Sequence, residues 1–187
     1  VKKVTFDKTG TLTIGEPKVI FIKSVLDQYT DDELYGYVVA AERNSEHPLG
    51  KAMVACYTKD IQHHKEKEKL LEAIDFEMLP GKGVSATVNG KRICAGNQSL
   101  LDKKSIVIDK KIEQLIQQNV QKGATITYVT IDHVFAGVIV LSDALRSDSK
   151  QVISRLNQLG VVPVLLTGDH TAVANQIAEE AGIKEVY

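Results

Sequence analysis

Apolar and polar positions change their repeat several times along the chain. Residues 2–7 (KKVTFD) alternate as a short strand does and close on an acid. The Gly/Thr-rich DKTGTLT at Asp7–Thr13 has the composition of a loop. Residues 17–26 (PKVIFIKSVL) predict a second strand. Thr30-Asp31-Asp32-Glu33 places Thr and Glu at the two ends of a capping box and predicts a helix over 31–43. Ser45-Glu46-His47-Pro48 interrupts it, and Pro48 suits the first turn of a second helix over 48–58. The Lys/Glu/His run at 62–69 predicts a solvated loop or a frayed helix end.

From Leu71 the period becomes two. Strands are predicted at 72–79, 83–88 and 91–95, with Asn89-Gly90 as a hairpin turn. A helix over 109–121 has Ile112, Leu115, Ile116 and Val120 on one face. Strands 125–131 and 134–141 pair across Asp132-His133. The pattern then changes again: an amphipathic helix over 146–159, an apolar run at 161–166 (VVPVLL) ending in Thr167-Gly168-Asp169, and a helix over 171–181 stopped by Gly182. Apolar runs separated by helices indicate a parallel sheet covered on both faces. The fold class is therefore α/β at the two ends and antiparallel α+β in the middle. One domain is inserted in another, with crossings near 15–18 and 137–142. The outer domain is expected at 1–16 and 138–187, and the inserted domain at 17–137.

The chain has 187 residues, enough for one or two domains with a real core. Lys plus Arg (23) nearly balances Asp plus Glu (24), which gives no footing for a polyanion or membrane-surface binder. No stretch approaches the roughly 20 apolar residues of a membrane helix, and the first residues have no signal-peptide plan. Cys56 and Cys94 form no CxxC, so neither a zinc ribbon nor a disulfide framework is indicated, which fits a reducing, cytosolic setting.

Asp7 stands where a strand meets a Gly/Thr loop, the edge at which open α/β sheets bind ligands. Its carboxylate can serve as a nucleophile toward phosphorus, provided that Mg²⁺ and a cation reduce the repulsion between anions. Lys8 is adjacent, and Thr9, Gly10 and Thr11 offer backbone N–H groups and hydroxyls to phosphate oxygens. A carboxylate that merely caps a turn is the plainer reading of such an acid. Thr167-Gly168-Asp169 repeats the geometry on a second strand: Thr167 is a candidate phosphate donor, and Asp169 a magnesium ligand, nucleotide contact or helix cap. Neither GxxxxGK[ST] nor GxGxxG occurs, so ATP would have to be held by other means.

DKTGTLT (Asp7–Thr13) is similar to the phosphorylation signature of P-type ATPases. Ser45-Glu46-His47-Pro48-Leu49 resembles the SEHPL motif of their heavy-metal-transporting branch. Gly81-Lys82-Gly83 resembles its GxG, Gly96-Asn97 its GN pair, and Thr167-Gly168-Asp169 its TGD segment. The five motifs fall in the family's order across nearly the whole chain. The resemblance implies a haloacid-dehalogenase-like phosphorylation domain with an inserted nucleotide-binding domain. It implies that Asp7 takes the γ-phosphate of ATP, that Lys8, Gly168 and Asp169 belong to the same catalytic site, and that Thr167 contacts the phosphoryl group. Asp7 and the Thr9 carbonyl would hold Mg²⁺. Glu42 and His47 would contact adenine, Gly81, Gly83, Gly96 and Asn97 would line the nucleotide pocket, and Asp143 and Arg146 would help hold the hinge and phosphate site.

His170 stands where the family has Asn. The family also continues past the position of Tyr187 to a GDGxND segment with a further magnesium ligand and a phosphate-site Lys. The sequence thus reads as a monomeric cytosolic piece of a membrane pump, with a truncated phosphorylation domain, expected to bind ATP but to turn it over poorly. Its partners would be ATP and ADP and, in the parent, the membrane domain and a heavy-metal ion: copper first, with zinc, cadmium, cobalt and lead left open. No nucleic acid is expected. Two other functions compete. A soluble haloacid dehalogenase-class phosphatase usually has a second Asp two residues after the nucleophile, where Thr9 stands. A non-catalytic nucleotide-binding module is the other.

Overall fold

The computed structural model describes residues 2–63, 70–101, 108–167 and 171–187. They form two compact units. One contains Val1–Pro17, Gln114–Thr125 and Ser142–Tyr187, and the other Lys18–Glu113 and Ile126–Leu141. The stretch 114–125, which the sequence pattern put in the insertion, falls with the outer segments.

The outer unit is built on three parallel strands in the order β1 (Lys3–Asp7), β8 (Val162–Leu166), β9 (Glu185–Val186). Phe6 pairs with Leu165, and Leu165 with Val186, so these three side chains share a face. Helices α4 (Ser149–Gln158) and α5 (Thr171–Ala181) cover that face with Ile153, Ile177, Ala178 and Ala181, joined by Leu12 and Ile183. Helix α3 (Lys110–Gln121) adds Val120. The opposite face leaves Thr5, Val162 and Leu166 exposed, so double coverage is not seen there among the described residues. The predicted helix over 146–159 begins three residues late, at Ser149. Its start is fixed from a distance: the Ser149 hydroxyl and the Arg146 N–H both donate to the Leu12 carbonyl, at 2.8 and 2.9 Å.

The second unit is a six-stranded sheet in the order β2 (Lys18–Ser24), β7 (Val134–Ser142), β6 (Thr125–Ile131), β5 (Lys91–Gly96), β4 (Gly83–Val88), β3 (Ala73–Leu79). The pairs β3–β4, β4–β5 and β5–β6 are antiparallel. Asn89 and Gly90 both have positive φ (49° and 73°), the two-residue turn that the sequence predicts. Helices α1 (Asp31–Glu42) and α2 (Pro48–His63) pack with the sheet. α1 opens with the predicted capping box: Thr30 Oγ1 accepts from Glu33 N–H at 3.1 Å, and Glu33 Oε2 accepts from Thr30 N–H at 2.7 Å. Leu34, Tyr35, Val38, Val39, Ala40 and Ala41 of α1 are all buried, against Met53 of α2 and Val84, Ala86, Ile93 and Val129 of the sheet. α2 runs five residues past its predicted end, and the part of the predicted solvated run at 64–69 lies outside the described residues.

Candidate functional site

Asp7 is the last residue of β1, in register with Leu166, the last of β8. Thr167 therefore leaves the sheet beside Asp7, at the carboxyl edge of two adjacent parallel strands. The structure brings these two predicted residues together, while Gly168 and Asp169 lie outside the described residues. Asp7, Thr9, Gly10 and Thr11 are exposed, and Lys8 is half-buried with partners of its own. Residues 8–12 make a tight turn rather than an open loop. Thr9 is extended (φ −75°, ψ 123°) and Gly10 takes φ 74°, a value that favours glycine.

The turn is closed by Thr13, which is buried to 1 % exposure. Its N–H donates to the Lys8 carbonyl at 3.1 Å, and its Oγ1 accepts from Gly10 N–H at 3.2 Å. Its hydroxyl donates to Asp143 Oδ2 at 2.6 Å, with the Lys8 carbonyl a weaker acceptor at 3.2 Å. Asp143 Oδ1 also accepts from Gly15 N–H at 3.1 Å, and Ile14 N–H donates to the Ala144 carbonyl at 3.0 Å. A single carboxylate thus ties the exit of the Asp7 turn to the segment that re-enters this unit. Arg146 lies 3.6 Å from Asp148.

The second group of predicted residues lies in the other unit. His47 is exposed. Its Nδ1 accepts from Leu49 N–H at 3.3 Å, so the neutral ring carries its proton on Nε2 and presents a donor there. Glu42, the last residue of α1, is 6 % exposed, and its Oε2 has no hydrogen-bond partner among the described residues. Burial pushes its carboxyl up to about 7, against an opposing hydrogen bond from Ser45.

The Gly81–Gly83 and Gly96-Asn97 motifs form one hydrogen-bonded corner. Gly83 and Gly96 face each other across β4 and β5. A Cβ on Gly83 would overlap the Ala95 carbonyl, and one on Gly96 the Lys82 carbonyl. Asn97 N–H donates to the Lys82 carbonyl at 2.8 Å, and Asn97 Nδ2 to the Gly81 carbonyl at 2.8 Å. Asn97 Oδ1 accepts from Ser99 N–H at 3.0 Å. The residues that sequence reading undervalued are Thr13, Ser45 and Gly50. All sit inside or beside quoted motifs, but only their contacts reveal what they do.

The haloacid dehalogenase-like hydrolase family matches residues 1–187. The chain belongs to that family. This haloacid dehalogenase-like chain is 39 % identical, over its whole length, to a copper-transporting ATPase of Oryza sativa subsp. japonica, of which it spans 19 %. It is 36 % identical to a copper-exporting P-type ATPase of Staphylococcus haemolyticus, again over all of its own residues and 22 % of that protein. A crystal structure of a zinc-transporting PIB-type ATPase superposes with a TM-score of 0.78 at 33 % identity, covering 100 % of this chain and 29 % of that one. The chain thus spans about a fifth of the curated relatives it matches, and the resemblance read from the motifs is borne out along its full length. Among the described residues no helix is long and apolar enough to cross a membrane.

Proposed function

We propose that this chain is the ATP-binding and phosphorylation portion of a heavy-metal-transporting P-type ATPase, on the cytoplasmic face of its membrane, with copper as the transported ion. The observation that carries the reading is Asp7: an exposed carboxylate at the strand edge, beside Thr167, on a turn locked by Thr13 and Asp143. A carboxylate oxygen of Asp7 would attack the γ-phosphorus of ATP. The P–O bond to the β-phosphate breaks, ADP leaves, and an acyl phosphate remains.

Mg²⁺ is bound by few protein oxygens and several waters or phosphates, and the Asp7 carboxylate with the Thr9 carbonyl fits that demand as a partial set. Among the described residues no group of three or more His, Cys, Asp or Glu side chains could hold a metal alone. Bound there, the ion would neutralise charge on the phosphate oxygens. Thr167 would donate to the phosphoryl group. In the other unit His47, with the corner made by Gly81, Gly83, Gly96 and Asn97, forms the candidate nucleotide pocket. Glu42 stands behind His47.

The competing phosphatase reading needs an acid/base two residues after the nucleophile. Thr9 has no group for that role, so an acyl phosphate would persist long enough to couple to transport. In the full-length parent, Asp7→Asn abolishes acid-stable labelling by radioactive ATP while nucleotide binding survives. His47→Ala in the present chain weakens ATP binding in calorimetry without changing the circular dichroism spectrum. Labelling that persists in Asp7→Asn removes the nucleophile assignment.

A further inference from the structure

We propose that Glu42 is a positioning residue: with Ser45 and the bare Cα of Gly50 it holds the turn that carries His47, and it does not itself touch the base. The inference rests on the nucleotide reading above and gives the residues of that site a different division of labour.

The geometry runs in one line from Glu42 to the histidine. Ser45 is 4 % exposed, and its N–H closes on the Glu42 carbonyl at 2.8 Å. Ser45 Oγ accepts from His47 N–H at 3.2 Å, while its hydroxyl acts on the Glu42 carboxyl. Lys51 N–H then donates to the His47 carbonyl at 3.0 Å, which joins the turn to α2. Gly50 lies in the first turn of α2. A Cβ there would overlap Glu42 Oε2, and would stand 3.0 Å from Ser45 Oγ and 3.1 Å from Glu42 Cδ. The space a side chain would occupy is therefore taken by the carboxyl. Glu42 Oε2 is sealed from solvent, so a base has no approach to that oxygen in this arrangement. The route by which Glu42 reaches a ligand is the serine hydroxyl and the His47 backbone.

A sealed carboxyl with an unpaired oxygen is tolerated as a neutral acid and resisted as an anion. Burial accordingly lifts its titration to about 7. No charged neighbour takes part. On its own helix and the following turn stand Asp31, Asp32, Glu33, Tyr35, Tyr37, Arg43, Glu46 and His47. On α2 stand Lys51, paired with Glu46, and Lys59, Cys56 and Tyr57. The sheet strands carry Lys18 and Lys23 on β2, Asp75 and Glu77 on β3, Lys91, Arg92 and Cys94 on β5, and nothing titratable on β4. Arg92 is held by Glu77, and Lys91 by Tyr29. Only burial and the Ser45 hydroxyl move Glu42. Ionisation would disrupt the Glu42–Ser45–Gly50 contact and release the His47 turn.

The test uses the 187-residue chain with ATP and GTP in calorimetry at pH 6 and pH 8, beside E42Q, S45A and G50A. E42Q, which mimics the neutral acid, is expected to match the unsubstituted chain at pH 6. At pH 8 it is expected to bind ATP about tenfold more tightly, because about a tenth of the unsubstituted chain remains competent there. The ratio of the two proteins cancels titration of the nucleotide phosphates and of His47. S45A and G50A weaken ATP and GTP by the same factor at pH 6, and the His47 ring resonances move in both variants. If G50A does not fold, E42Q and S45A decide the matter. Weaker binding by E42Q at both pH values overturns the proposal, as does E42Q following the unsubstituted chain's pH dependence. An ATP-over-GTP preference altered in E42Q but not in S45A would show direct contact with the base and overturn the proposal while leaving the nucleotide reading intact. Absence of ATP binding by the unsubstituted chain at either pH removes both.

Discussion

Gly83 and Gly96 let two backbones approach more closely than any side chain permits. Their paired positions on β4 and β5 explain why both must be bare, independently of any ligand. Gly83→Ala or Gly96→Ala forces the strands apart and is expected to destabilise the chain by roughly 2–3 kcal/mol. Gly81 differs: it takes φ 69° with nothing near its missing Cβ, so Gly81→Ala carries only a left-handed backbone cost of about 1 kcal/mol. Urea midpoints of the three variants give the comparison, and equal losses would contradict the close-approach account. The motifs made these glycines visible in the sequence. Their pairing was not visible, because it depends on strand register. Asn97 is similar: its amide is committed to Gly81 and Ser99, so it orders the corner whether or not it also meets a nucleotide.

At the scale of the element, local chemistry was legible wherever the residues that fix a boundary are neighbours in sequence. Thr30 and Glu33 announce the start of α1, and Asn89-Gly90 the β4–β5 turn, because their partners lie within three residues. Thr30→Ala removes half of the capping box and is expected to cost about 1 kcal/mol in chemical denaturation. The start of α4 was not legible, since the Leu12 carbonyl that fixes Ser149 and Arg146 comes from 130 or more residues away. The Asp7 turn is the same case. Composition predicts a loop, and only Asp143, at a separation of 130 residues, shows why it is closed. Asp143→Ala is therefore expected to loosen the Thr13 anchor. In the full-length parent it should lower phosphoenzyme formation at least tenfold while leaving ATP binding in the other unit unchanged. Loss of ATP affinity in this variant would mean that Asp143 acts on more than the turn.

For the molecule as a whole, one buried acid ties the stability of the second unit to pH. Glu42 titrates near 7 in the folded chain against 4.5 for an ordinary glutamate, so the folded state holds a proton that the unfolded state has released. Its contribution is fully present below about pH 4.5, falls as pH rises, and is gone once pH passes about 7. Across that window the loss amounts to about 3 kcal/mol, because Glu42 is almost completely buried and little solvent screening applies. The sign is opposite to that of a salt-bridged carboxylate, which stabilises as pH rises. The exposed pairs Lys51–Glu46 and Arg92–Glu77 leave their side chains largely in water and do little to offset it. Denaturation of the unsubstituted chain and of E42Q at pH 5, 6, 7 and 8 separates this group from every other titration. The difference between the two curves should move by about 3 kcal/mol in favour of E42Q between pH 5 and pH 8, with most of the change between pH 5 and pH 7. A constant difference across that range would show that the Glu42 carboxyl ionises without resistance, and that its burial has been relieved by water or by movement of the His47 turn.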